Sequence, residues 1–184
     1  MTVILAACDV YGDSYGRTGQ ENAQRLKAFV LLLRWSGLRI GDAVGLERSR
    51  IADEKLFLYT HKTGTPVWLP LPPNVIEALA RVRGTSEKYF FWTGECKLKS
   101  AVGNWQRSLD KLFTLAGVKG GHAHRLRHTF AVELLLAGVP IERVSVLLGH
   151  SSVRITEKYY SAWVRARQEQ LEADVRKSWV AQEA

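Results

Sequence analysis

Residues 56–70 read LFLYTHKTGTPVWLP. Leu56 to Tyr59 and Val67 to Pro70 are two β-prone runs, and His61, Lys62, Thr63, Gly64 and Thr65 between them suit a hairpin turn. Leu71-Pro72-Pro73 closes this unit, and Pro73 is placed to start a helix over 74–82. Around the hairpin the pattern is helical. Leu26, Phe29, Val30 and Leu33 share one face of a helix over 21–36 that Gly37 stops, and 40–46 reads as a short second helix. Downstream, helices are expected over 100–116, 124–137 and 140–148, with Gly117, Gly138 and Gly149 as their ends. Ser151 or Ser152 can cap the next helix. A last amphipathic helix is expected over 163–180, with Val164, Leu171, Val175 and Trp179 on one stripe. Tyr89, Phe90, Phe91 and Trp92 suit either one more short strand or an aromatic core wall. Gly12, Asp13, Ser14, Gly16 and Gly19 read as a turn-rich stretch, and Ala6 to Val10 as the end of a helix. The expected fold class is mainly α with a small antiparallel β-sheet (α+β).

At 184 residues, with 46% apolar and 24% charged side chains, the chain has the makings of one globular domain rather than a disordered or fibrous one. We expect a single domain over 1–184, with 1–20 as a lead-in segment and 163–184 as a C-terminal helix. The net charge of +8 suits a polyanionic partner, nucleic acid ahead of a membrane surface, although it also serves plain solubility. Cys8 and Cys96 stand in very different contexts, which points away from a disulfide framework and toward a reducing cytoplasm. The longest apolar runs, Val3 to Cys8 and Ala28 to Leu33, are far shorter than the roughly 20 residues that span a bilayer. The first residues lack the basic stretch of a signal peptide.

Three stretches carry candidate chemistry. In His122-Ala123-His124-Arg125-Leu126-Arg127-His128, His124 and Arg127 share a helix face at i and i+3. A guanidinium can fork two oxygens of a phosphate, and an imidazole beside it can move a proton or donate a hydrogen bond. His128 follows one turn later. The same histidines could instead satisfy core polar groups. A zinc clasp by His124 and His128 lacks both an intervening Glu and a nearby Cys. In Ser36-Gly37-Leu38-Arg39-Ile40-Gly41-Asp42, an arginine is presented just past a helix end with a carboxylate close by. The third stretch places His150 after a glycine break, with Tyr159 and Tyr160 following 9 and 10 residues later. Tyrosine is a poor nucleophile at its ordinary pKa near 10, and nearby guanidinium groups favour its phenolate.

In combination, S-G-L-R-I-G-D, H-K-T-G-T-P-V-W-L-P-L, H-R-L-R-H-T-F-A and L-L-G-H-S-S-V-R-I-T-E-K-Y-Y resemble the tyrosine recombinase (phage integrase) family over roughly residues 21–165. The resemblance implies that family's catalytic-domain fold and DNA strand breaking and rejoining through a 3′-phosphotyrosyl bond. It assigns Arg39 and Arg127 to the scissile phosphate and Lys62 to protonation of the leaving 5′-oxygen. His124 takes the proton-handling role and His150 that of a phosphate hydrogen-bond donor, with Asp42 and His128 in support. The doubled tyrosine leaves two candidates for the nucleophile. T-E-K-Y-Y-S-A-W resembles a subgroup with T-E-K-H-Y-x-x-W, which favours Tyr160, with Tyr159 as the alternative.

The resemblance implies no metal and no cofactor. It implies double-stranded DNA as partner, self-association on DNA (a tetrameric synapse in the full-length protein), and a cytoplasmic, nucleoid-associated location in a bacterial or phage-derived setting. Members usually carry an N-terminal DNA-clamping domain, and we expect none within these 184 residues. The competing readings are a type IB topoisomerase-like enzyme, a non-catalytic helix-turn-helix DNA-binding module, and an interaction domain whose charge serves solubility.

Overall fold

The computed structural model describes residues 1–13, 18–83 and 86–180, apart from the side chains of residue 174 and residues 177–180. The chain runs through α1 (Thr2–Asp13), α2 (Gly19–Ser36), α3 (Ile40–Val44), β1 (Ile51–Ala52), β2 (Lys55–Tyr59), β3 (Pro66–Pro70), α4 (Pro73–Ala80), α5 (Leu98–Leu115), α6 (Ala123–Leu136), α7 (Ile141–Leu147) and α8 (Val153–Val180). Helices dominate and one small antiparallel sheet interrupts them, as the sequence led us to expect.

The core is organised around α2. From Ala28 to Arg34 every residue is buried, so this helix is enclosed on all sides rather than along the single stripe its periodicity suggested. Helices α1, α4 and α6 surround it. The first residues are more than a lead-in. Ile4, Ala7, Cys8 and Tyr11 recur at helical spacing and bury one face of α1 against α2 and α5. Gly12 and Gly19 are helical instead of marking a turn. A Cβ on Gly19 would come within 2.1 Å of the Gly12 carbonyl oxygen, so the two helices approach backbone to backbone and admit no side chain there. Ser14 and Gly16 lie outside the described residues.

The sheet has the order β1-β2-β3, with Leu56 opposite Leu69 and Leu58 opposite Val67. These four side chains point inward and are buried. Phe57, Tyr59 and Trp68 occupy the outer face as a ladder of edge contacts, with ring centroids 5.3 and 5.9 Å apart. The short β1, joined to β2 through Asp53 and Glu54 in left-handed backbone conformation, gave no sequence signal.

Tyr89 to Trp92 is not a strand. Tyr89 alone makes a β-bridge, to Glu47, while Phe90 and Phe91 are buried. Phe91, Phe29 and Trp105 meet at centroid separations of 4.2 to 5.5 Å, which makes this segment the aromatic wall of the core. The expected terminal helix is also longer than the pattern indicated. It begins at Val153, where Ser152 Oγ accepts a 3.3 Å hydrogen bond from the Arg154 amide, and continues unbroken to Val180. Val164, Leu171 and Val175 stay exposed along it.

Candidate active site

Arg127, on α6, is buried and serves as a junction between three segments. Its Nη1 donates to the Gly37 carbonyl at 2.6 Å, and its Nη2 donates to the Leu148 carbonyl at 2.7 Å and to His150 Nε2 at 2.9 Å. Both carbonyls belong to helix ends. Gly37, with φ of 62°, turns the chain out of α2, and Leu148 closes α7. The arginine therefore meets backbone acceptors left free by helix termination. Two of its five N–H groups remain for a ligand.

Arg39 enters from the same turn, as the residue that begins α3. It stands close enough to Arg127, His124 and His150 for its charge to disfavour protonation of all three. Its Nη1 is buried and has no hydrogen-bond partner among the described residues. Asp42, the carboxylate close by in sequence, makes no hydrogen bond to Arg39 among the described residues, and its Oδ2 is buried without a partner there. Its Oδ1 accepts a 2.8 Å hydrogen bond from the His61 backbone amide, and so ties α3 to the hairpin turn that carries Lys62.

Lys62 is exposed on that turn. The turn is rigid at its base. Thr60 and Thr63 hydroxyls lie 2.6 Å apart, the Gly64 amide donates to the Thr60 carbonyl at 2.9 Å, and Thr63 Oγ1 donates to the Gly149 carbonyl at 3.1 Å. Gly149 is where hairpin and histidine meet. It adopts φ of 60°, and a Cβ there would lie 2.8 Å from methyls of both Thr60 and Val67. The loop leading to His150 is thereby pressed against the hairpin. Sequence reading missed the roles of Thr60, Thr63 and Gly149, because their partners lie up to 86 residues away.

His124 lies exposed on the first turn of α6, and partial desolvation, then the charge of Arg127, holds its pKa below the ordinary value. His150 is pushed further, to about 4, by burial first and then by the charges of Arg127 and Arg39. Its Nδ1 lies 2.9 Å from Oγ1 of Thr156, a buried threonine that the sequence reading did not single out. His128 packs on Tyr160 rather than joining His124. The two rings stack at 5.2 Å, and Trp163 meets the His128 ring edge-on at 5.0 Å.

The two tyrosines face opposite surroundings. Tyr160 is 3% exposed and Tyr159 61% exposed. Burial raises the Tyr160 pKa, and the Arg127 charge pulls it back the other way. Tyr159 projects from α8, with Lys158 Nζ 5.6 Å from its ring centre. Among the described residues no three His, Cys, Asp or Glu side chains converge to hold a metal ion, and no helix is long and apolar enough to cross a membrane.

This fold has known counterparts. The phage integrase family pattern matches residues 4–164. The chain belongs to the phage integrase family. It is 32% identical over 143 residues to the tyrosine recombinase XerC of Rickettsia prowazekii, a match covering 73% of this chain and 46% of that one. The chain thus spans about half the length of the curated relatives it matches. Among solved structures of this integrase fold, the XerA recombinase superposes with a TM-score of 0.67 at 21% identity, covering 91% of this chain and 62% of that one. The catalytic domain of bacteriophage HP1 integrase gives 0.61 at 21% identity, covering 94% and 88%. A lambda integrase dimer bound to a COC′ core site gives 0.61 at 20% identity, covering 84% and 45%.

Proposed function

We propose that this chain is the catalytic domain of a site-specific DNA recombinase that cleaves and rejoins strands through a 3′-phosphotyrosyl intermediate. The observation that carries this reading is the electrostatic state of the Arg39–Arg127 pair. Two guanidiniums share a partly buried site with one carboxylate, Asp42, whose Oδ1 accepts a hydrogen bond from the hairpin backbone; Arg39 Nη1 and Asp42 Oδ2 are both buried without a hydrogen-bond partner among the described residues. The two cations outnumber the one anion, and a tetrahedral phosphodiester supplies oxygens for both guanidiniums.

In this mechanism Tyr160 Oη attacks the scissile phosphorus and loses its proton to His124, an imidazole that partial burial and then the charge of Arg127 keep neutral and ready to accept. The P–O5′ bond breaks, and Lys62 protonates the leaving 5′-oxygen. Arg39 and Arg127 hold the non-bridging oxygens as charge accumulates, each contact contributing about 1.5–3 kcal/mol. The reverse attack by a 5′-hydroxyl from another strand reseals the backbone, and the bond energy stored in the phosphotyrosine makes the exchange isoenergetic. Double-stranded DNA is the partner. The protein self-associates on it, as a tetrameric synapse in the longer protein, and works in the cytoplasm at the nucleoid.

The test is incubation with a nicked suicide duplex carrying the native site, followed by a denaturing gel. The wild-type chain and Tyr159→Phe yield a covalent protein–DNA band, and Tyr160→Phe yields none. The opposite result for the two tyrosines would transfer the nucleophile to Tyr159, and no adduct from any of the three would end the recombinase reading.

A further inference from the structure

A cavity of about 300 Å³ opens between α1, the first half of α2, the aromatic segment before α5, and α5 itself. Tyr11, Phe91, Trp92 and Trp105 supply rings to its wall, and Arg25 is the one charged side chain that lines it among the described residues. From Arg25 to Ser36 the helix rises roughly 16 Å, so the cavity lies at the other end of α2 from the turn that carries Arg39. Nothing in the proposed strand cleavage uses it.

The wall is fixed before any ligand arrives. Trp105 Nε1 donates to the Phe91 carbonyl at 2.8 Å, Trp92 Nε1 to the Cys96 carbonyl at 3.0 Å, and the Tyr11 hydroxyl to Ser108 Oγ at 3.1 Å. The polar handles of three rings are thus engaged within the protein, and what these rings offer a ligand is apolar surface. A cleft whose rings are already held binds without the cost of ordering them.

Arg25 stands apart from this. Its Nε is buried and has no hydrogen-bond partner among the described residues, and its guanidinium carbon lies 5.7 Å from the Trp105 ring centre. Burial first, then the charge of Arg48, disfavours its protonated form, and Glu21 offsets this only in part. A cation partly stripped of water and short of negative charge favours an oxyanion. Charge selects among oxyanions. Arg48 does not line the cavity and donates to the Val82 carbonyl at 3.1 Å, so Arg25 acts alone. One guanidinium balances one carboxylate, whose two oxygens match its fork, whereas a phosphate monoester would leave charge unmet.

We propose that this cavity binds a small planar aromatic carboxylate, with the ring system against the wall and the carboxylate on the Arg25 guanidinium. The volume stands at the lower end of small-molecule sites, which suits two fused rings rather than a larger ligand.

The probe is 2-naphthoate, added to the full chain without DNA. Calorimetry should show saturable binding. Naphthalene-2-carboxamide keeps the rings and loses the charge, acetate keeps the charge and loses the rings, and each should bind at least about tenfold more weakly. Arg25→Gln should weaken 2-naphthoate binding about tenfold to a hundredfold, the equivalent of one charge-assisted hydrogen bond. A second readout needs no variant to fold. Cys96 is exposed and lines the cavity, so saturating 2-naphthoate should slow its alkylation by iodoacetamide, and acetate should not. Absence of binding, equal binding of the carboxamide, or an unprotected Cys96 overturns the proposal. A folded Arg25→Gln that binds as tightly as the wild type overturns it too, because the probe then sits elsewhere, as on the Arg39–Arg127 pair.

Discussion

Replacing Gly149 by alanine tests how tightly the hairpin is coupled to the histidine loop. Gly149 and Gly117 both have left-handed backbones, with φ of 60° and 66°. Forcing an L side chain into that conformation costs roughly 1–2 kcal/mol at either site. The surroundings differ. At Gly117 an added Cβ meets nothing within 4 Å, whereas at Gly149 it lies 2.8 Å from Thr60 Cγ2 and equally close to Val67 Cγ2. Both neighbours are buried in the hairpin and cannot swing away, so the hairpin must shift, at an overpacking cost of about 1–3 kcal/mol. Urea unfolding should therefore place Gly149→Ala about 1–3 kcal/mol below Gly117→Ala. Cleavage should separate the two variants further. The Thr63–Gly149 hydrogen bond fixes the turn that carries Lys62, and a displacement near 1 Å at a reacting group can cost about a hundredfold in rate. Equal destabilisation of the two variants, or full cleavage activity in Gly149→Ala, would refute the coupling.

Three other outcomes follow from the structure. Lys62→Ala should slow adduct formation by about 10²–10⁴ and leave the unfolding free energy within about 0.5 kcal/mol of wild type, since the side chain is exposed; a large stability loss would mean the lysine is structural. Folding depresses the pKa values of His124, His128 and His150, the last from 6.5 to about 4, so the unfolded chain binds these protons first and stability, complete above pH 6.5, drains as pH falls toward 4. Urea midpoints measured across that range should fall less steeply in His150→Asn, and an unchanged slope would remove His150 from the account. Finally, a thiol reagent at neutral pH should modify Cys96 in the native protein and reach Cys8 only on unfolding, because burial, and secondarily Asp9, pushes the Cys8 thiol up to about 12; rapid labelling of both would show α1 to be open.

Helix ends were legible because glycine is the residue that tolerates a positive φ, and Gly37, Gly117, Gly138 and Gly149 each adopt one at or next to a helix terminus. The hairpin was legible for a similar local reason, its turn chemistry lying between two β-prone runs. The enclosed character of α2 was not, since burial on every face depends on α4 and α6 arriving from distant sequence as well as on the neighbouring α1. Gly12 and Gly19 misled for an instructive reason: glycine serves close helix contact as well as turns, and local sequence does not tell the two apart. At the site, residue types with distinctive chemistry stood out, namely Arg39, Arg127, His124 and His150. Thr156 did not, because an ordinary hydroxyl acquires its role only when the fold sets it beside an imidazole nitrogen. The partner of Asp42 was equally hidden, being a backbone amide 19 residues away.

Arg127 binds the exits of two helices and a histidine, so the group proposed to hold the phosphate is also a rivet of the scaffold. Its loss would strand three acceptors, at about 1–3 kcal/mol each, so stability would fall together with catalysis. If the proposed strand exchange is lost in descendant copies, this arginine is expected to be retained for as long as they fold, while the exposed Lys62 is free to drift. In a genome crowded with decaying mobile elements, the arginine then testifies only to an intact fold, and the lysine is the better sign of a copy still at work.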